Sequence, residues 1–203
     1  MTTSEAKSFV EVEHEPHHQT VLMNDAVRVF WVEIGEGDVS LMHRHHYDYV
    51  TVVIGDSIIG NCKLGEQEQR ETLAHGDILY SRGGLAHQVR NAGDQPFRNF
   101  AISILREGQT GASSMIARLI QEAAKAEQKL NEPHVSVAKM TLKNEEVKLI
   151  GEGLLIPLEN GSVCVEGNAG SSPMTKVGDF AWMSGVTRVR CESEIELVVM
   201  EVR

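Results

Sequence analysis

Residues 41–55, LMHRHHYDYVTVVIG, crowd His43, His45, His46, Tyr47, Asp48 and Tyr49 together and then turn abruptly apolar. The apolar tail is β-branched and of strand length, so the stretch reads as a strand with a polar start. Side chains alternate along a strand, which places His43 and His45 on one face and Arg44 and His46 on the other. Two imidazoles side by side on one face can share a metal ion. His46, of opposite parity, is expected at the solvated rim.

Similar short runs flank this stretch. AVRVFWVEI (26–34), SIIGNCKL (57–64), GDILYS (76–81), AHQVRNA (86–92) and FRNFAISIL (97–105) are rich in β-branched or aromatic residues and separated by Gly, Asp and Asn turns. Such spacing predicts an antiparallel sandwich or barrel. The period then changes. In SSMIARLIQEAAKAEQKL (113–130), Met115, Ile116, Leu119, Ile120 and Ala123 recur at helical spacing, with Ser113 or Ser114 as N-cap. This helix is expected to pack across a barrel or at a dimer contact.

Beyond it the first pattern returns. YVTVVIGDSIIG (49–60) lines up with LLIPLENGSVCVEG (154–167), and HGDILYSRGGLAHQVRN (75–91) with VGDFAWMSGVTRVRCES (177–193). Gly76 then matches Gly178, and Val189 falls where His87 stands. A repeat of this length predicts two copies of one all-β unit, the second without histidine. The expected division is an N-terminal arm (1–19), a metal-binding barrel (20–108), a helix and linker (109–134) and a metal-free half (135–203). The arm carries His14, His17 and His18 in EHEPHHQ, which reads as solvated, as does His75.

The composition is that of an ordinary globular protein, 203 residues with 41% hydrophobic and 24% charged side chains. A net charge of −10 leaves no basic stripe for nucleic acid or an anionic membrane surface. Cys62, Cys164 and Cys191 are odd in number and lack a CxxC spacing, which suits reduced thiols in the cytoplasm. The N-terminus has no basic segment followed by an apolar run, and no span-length apolar segment occurs.

The second half of the histidine constellation decides between a polar strand face and a site. Gly76 is followed after five residues by Arg82-Gly83-Gly84, then by His87 and Asn91, while Gly37 stands five residues ahead of His43. Together these resemble the two motifs of the cupin superfamily, G(X)5HxH(X)3–4E(X)6G and G(X)5PxG(X)2H(X)3N, with Arg82 in place of the proline. The resemblance covers 20–105, and a bicupin arrangement accounts for the rest. It implies an all-β, duplicated antiparallel barrel (a double-stranded β-helix, or jelly roll) with one connecting helix. It also implies one divalent ion (Fe, Mn, Ni or Zn) on His43, His45, His87 and a carboxylate. Counting from the second histidine, the carboxylate position is Tyr49; counting back from Gly55, it is Asp48. Asp48 is preferred, brought inward by a β-bulge, because divalent ions take carboxylates more readily than neutral phenols.

With iron, such a site suits a dioxygenase acting on a small organic substrate. With zinc, nickel or manganese it suits an isomerase, lyase or cyclase. A cupin that binds a small ligand without turnover is the reading from another class. Tyr47, Tyr80 and Arg82 are the expected substrate contacts, Arg82 pairing with an anionic or chelating group. A homodimer is the expected assembly, through edge strands.

Overall fold

The computed structural model describes residues 8–106, 114–122, 125–167 and 170–203. The chain divides into two compact units, Met1–Leu105 and Arg106–Arg203. The first contains β1 (Val10–Glu11), a 3-10 turn (Val12–His14), β2 (His18–Met23), β3 (Val27–Ile34), β4 (His43–Arg44), β5 (Tyr49–Ile54), β6 (Ser57–Lys63), β7 (Gln69–Leu73), β8 (Ile78–Ser81), β9 (Ala86–Asn91) and β10 (Phe97–Ile104). They form two five-stranded sheets, ordered β1-β4-β9-β6-β7 and β2-β3-β10-β5-β8. Phe30, Val32, Ile34, Val53, Ile59 and Phe97 join into one buried cluster between them.

The second unit contains α1 (Met115–Glu122), β11 (Ala126–Glu132), β12 (Val135–Leu142), β13 (Glu146–Pro157), β14 (Val163–Gly167), β15 (Gly170–Met174), β16 (Ala181–Cys191) and β17 (Ile195–Val202). They make one seven-stranded sheet, β11-β12-β17-β13-β16-β14-β15. Among the described residues no helix is long and apolar enough to cross a membrane.

Sheet register shows that the two units are copies. β10 pairs with β3 from Phe97↔Ile34 to Ile104↔Val27, and β17 pairs with β12 from Ile195↔Leu142 to Val202↔Val135. Tyr49↔Ser103 corresponds to Gly153↔Glu201, and Tyr49↔Ser81 to Gly153↔Met183. Tyr49 therefore corresponds to Gly153, one residue earlier than the sequence alignment places it. The long strand β13 is β4 and β5 run together, and β16 is β8 and β9 run together. In the first unit both are broken, at 45–48 and 82–85, beside the histidines.

Two expectations are corrected. The helix expected over 113–130 is helical only at Met115–Glu122, with Ser114 Oγ accepting from the Ala117 amide (3.2 Å); Ser113, Ala123 and Ala124 lie outside the described residues. The apolar stripe ends at Ala123, and the polar residues that follow pair as an edge strand with β12. Within 109–134 the described residues thus form α1 and β11 rather than a linker. Nor do the described residues of 1–19 form a solvated arm: β1 pairs with β4, β2 with β3, and Glu15 is buried; residues 1–7 lie outside the described residues.

Candidate metal centre

Four imidazoles converge inside the first unit. His43 and His45 arrive on β4 and the residue after it, and His87 lies directly across from His43 on β9. The fourth, His18, begins β2. Ring centroids are 5.0 Å apart for His43–His45, 4.6 Å for His43–His87, 5.3 Å for His45–His87 and 4.7 Å for His18–His43. His43 and His45 are fully buried, and His87 nearly so.

Hydrogen-bond partners fix three of the tautomers, because each partner can only accept. His43 Nδ1 donates to the Leu41 carbonyl (2.9 Å) and His18 Nδ1 to Glu15 (2.6 Å). His87 Nδ1 donates to Asn61 Oδ1 (3.1 Å), whose orientation is set by its amide donating to the Glu71 carboxylate (3.1 Å). His43 and His87, which burial keeps neutral, are left with Nε2 as the lone-pair nitrogen. That of His43 faces His45 Nε2 at 3.2 Å. His87 Nε2 and His45 Nδ1 are buried without a hydrogen-bond partner.

Burial, reinforced by the neighbouring His18, lowers the His43 pKa to about 4, and burial with its His43 neighbour lowers His87 to about 3. Burial pushes His45 far down as well. The rings are therefore held neutral, the form in which imidazole donates to a metal. His45 Nε2 can donate to His43 Nε2, which leaves His45 Nδ1 and His87 Nε2 buried without partners, and such unpaired groups are costly. A divalent cation supplies a partner, so the donor set fits an ion.

The histidines open into a cavity of about 280 Å³. Its apolar wall includes Val32, Ile34, Leu73 and Phe97, and its polar atoms come from Asn61, Glu71, Asn99 and Tyr80.

The structure sorts the other expected residues. Tyr49 does share the face of His43 and His45, stacking on His45 (4.0 Å between centroids, 16° between planes). Burial raises its phenol pKa, leaving a neutral phenol that is a poor ligand. Asp48, the preferred carboxylate ligand, is engaged elsewhere. Its Oδ1 accepts the Gly83 amide (2.7 Å), its Oδ2 accepts the Tyr80 hydroxyl, and it does not line the cavity. No bulge turns it inward; the break after β4 sends it to the turn of the second motif. That turn requires its glycines. A Cβ on Gly83 would stand 2.4 Å from the His46 carbonyl oxygen, and Gly84 has φ +86°.

Of the expected substrate contacts, Tyr80 lines the cavity. Tyr47 is 42% exposed and Arg82 is exposed, and neither belongs to the lining. His46 is exposed, as its parity requires, and so is His14. His75 accepts the Gly55 amide through Nδ1 (2.8 Å) at a turn. Asn91 closes the second motif structurally, its amide donating to the carbonyls of Ile34, Gly35 and Gln95. Sequence reading missed His18. The signal available was its position at the head of a strand that pairs with 27–34.

Similarity to solved structures agrees with the geometry. The chain aligns with a variant of salicylate 1,2-dioxygenase from Pseudoaminobacter salicylatoxidans over 87% of its length and 71% of that chain, at 14% identity and a TM-score of 0.63. It aligns with a cupin 2 conserved barrel domain protein from Leptotrichia buccalis over 92% of its length and 88% of that chain, at 13% identity and a TM-score of 0.60. The fold is that of the cupins. An adduct of the same dioxygenase with gentisate matches this cupin fold at 13% identity and a TM-score of 0.62, over 87% of this chain and 68% of that one. No protein-family model matches the sequence, and no curated protein matches it.

Proposed function

We propose that the first unit binds one divalent ion on His43, His45 and His87 and that the protein is a cupin-type dioxygenase acting on a small chelating organic molecule. The observation that carries this reading is the convergence of neutral, buried imidazoles on one cavity, His43 and His45 meeting through Nε2 and His87 Nε2 buried without a partner. Imidazole donors with open positions suit iron among other divalent ions, and iron held there would supply the sites and electrons that oxygen chemistry needs.

The chain's own residues set the remaining requirements. Leu41, Asn61 and Glu15 lock ring orientation through Nδ1. Asp48 holds the Tyr80 phenol at the wall, where its oxygen can accept from a substrate hydroxyl. At about 280 Å³ the cavity sits at the small end of ligand pockets, which run to roughly 300–1,000 Å³. Its described lining holds Glu71 and no lysine or arginine. A substrate anion would therefore be met by the ion itself, which favours a phenolate or enolate chelator over a carboxylate clamped by arginine. The aromatic compounds named for the dioxygenase neighbours, salicylate and gentisate, are of this chelating kind.

Elemental analysis of the purified protein, followed by oxygen uptake of the iron-loaded protein with salicylates, gentisate, catechols, diketones, flavonols and thiols, tests the proposal. One ion per chain and uptake with one substrate class are expected. A bound ion without oxygen uptake would point to an isomerase, lyase, cyclase or binding protein, and a protein that takes up no ion would overturn the proposal.

A further inference from the structure

We propose that His18, carried by β2, is a fourth protein ligand of this ion and that the buried Glu15 carboxylate holds it there, replacing the carboxylate ligand that the first motif lacks. The inference rests on the metal-dependent reading of the cavity and deepens it.

The carboxylate place is empty of any carboxylate. Tyr49 occupies it, stacked on His45, and Asp48 is committed to Gly83 and Tyr80. His18 stands on the other side of the cluster, its side chain only 6% exposed, its ring 4.7 Å from His43 and 5.7 Å from His45. One donor atom from each of His18, His43 and His45 can be chosen so that all lie within 4.8 Å of one another. Ligands about 2.1 Å from a common ion in tetrahedral geometry stand about 3.4 Å apart, so the widest pair must close by up to about 1.4 Å to share one.

Glu15 makes that possible. Its side chain is fully buried and its two oxygens accept four hydrogen bonds: from His18 Nδ1 (2.6 Å), His17 Nδ1 (2.9 Å), the His17 amide (2.8 Å) and the Leu41 amide (3.1 Å). Four donors around this buried carboxylate would place its charge one imidazole further out than a direct ligand. This is the arrangement that orients metal-bound histidines generally.

The second unit supplies an independent observation. His18 pairs with Val32, and the corresponding pair there is Ala126↔Met140. His43↔His87 corresponds to Val147↔Val189, and His45 to Leu149. The copy without a site has replaced His18 along with the other three.

Titration of metal-free protein with Co(II), read by visible absorption and by competition with a chelator, tests the assignment. Wild type should bind one Co(II). His18→Ala should weaken binding at least about 100-fold and alter the spectrum, with added imidazole restoring it; Glu15→Gln should weaken binding about 10–100-fold. His18→Ala should fold, since Glu15 keeps its bonds to His17 and Leu41. As a reading that needs no variant, Co(II) should slow hydrogen exchange across His17–Met23 in wild type. Co(II) binding that is unchanged in His18→Ala yet lost in His87→Ala would overturn the inference while leaving the metal site in place; so would exchange across His17–Met23 that ignores the ion. Wild type that binds no Co(II) overturns both.

Discussion

The two units thread the same strands in the same register and use their interiors in opposite ways. In the first, the inward positions hold His18, His43, His45 and His87 around a cavity. In the second, those positions are Ala126, Val147, Leu149 and Val189. The space is taken by α1, whose Met115, Ile116 and Leu119 share one buried cluster with Leu149, Val165 and Val189. The helix is pinned by one further exchange. Where the first unit has Ser103, the second has Glu201, whose carboxylate accepts from the Met115 amide and the Ser114 hydroxyl, each at 2.6 Å. Emptying a barrel of ligands thus required filling it. Four polar-to-aliphatic changes remove the site, and a helix supplies the apolar volume that keeps the interior close-packed.

The comparison breaks most readily at His87. His87→Ala should abolish retention of an ion through dialysis, measured by metal content, because two or three remaining imidazoles cannot hold the geometry; metal retained at wild-type level would mean that the site lies elsewhere. The next largest effect belongs to the plugged unit. Ile116→Ala, at a fully buried position, should cost about 2–5 kcal/mol in denaturant unfolding. A loss well below 1 kcal/mol would mean that α1 merely rests on the barrel.

Acid should separate the units. The folded pKa of His43, about 4, lies below the roughly 6.5 of an unfolded histidine, so the unfolded chain binds the proton first. That stability is fully present above pH ~6.5 and is lost as pH falls towards 4, on the order of 1–3 kcal/mol from His43 alone. Hydrogen exchange of metal-free protein should show the first unit loosening over this window while the second, with no histidine at the matching interior positions, holds. Equal loosening of both would contradict the contrast drawn here. The smallest effect is a control: His46→Ala, at an exposed position of the other parity, should leave metal content and stability near wild type.

Much of this was legible in the sequence because strand parity is a local property. Each of the five runs named around the HxH stretch forms a strand, Val189 does stand at the position of His87, and Tyr49 does share the face of His43. The helix was legible only as far as its apolar stripe ran; past Ala123 the chain's polar residues follow the open edge of β12, a non-local partner that helical spacing does not register. Asp48 and His18 were misread for a related reason. The break between β4 and β5 and the pairing of β2 with β3 decide where those side chains point, and neither leaves a periodic trace in the sequence.

The spread of the histidines along the chain has a mechanical consequence. An ion held jointly by His18 and His87 would act as a removable cross-link, closing a loop of roughly seventy residues and restricting the unfolded chain as well as the folded one. Taking the ion away would then do more than empty a pocket: it would untie the start of the chain from the barrel, so that chelation sets the order in which the first unit comes apart.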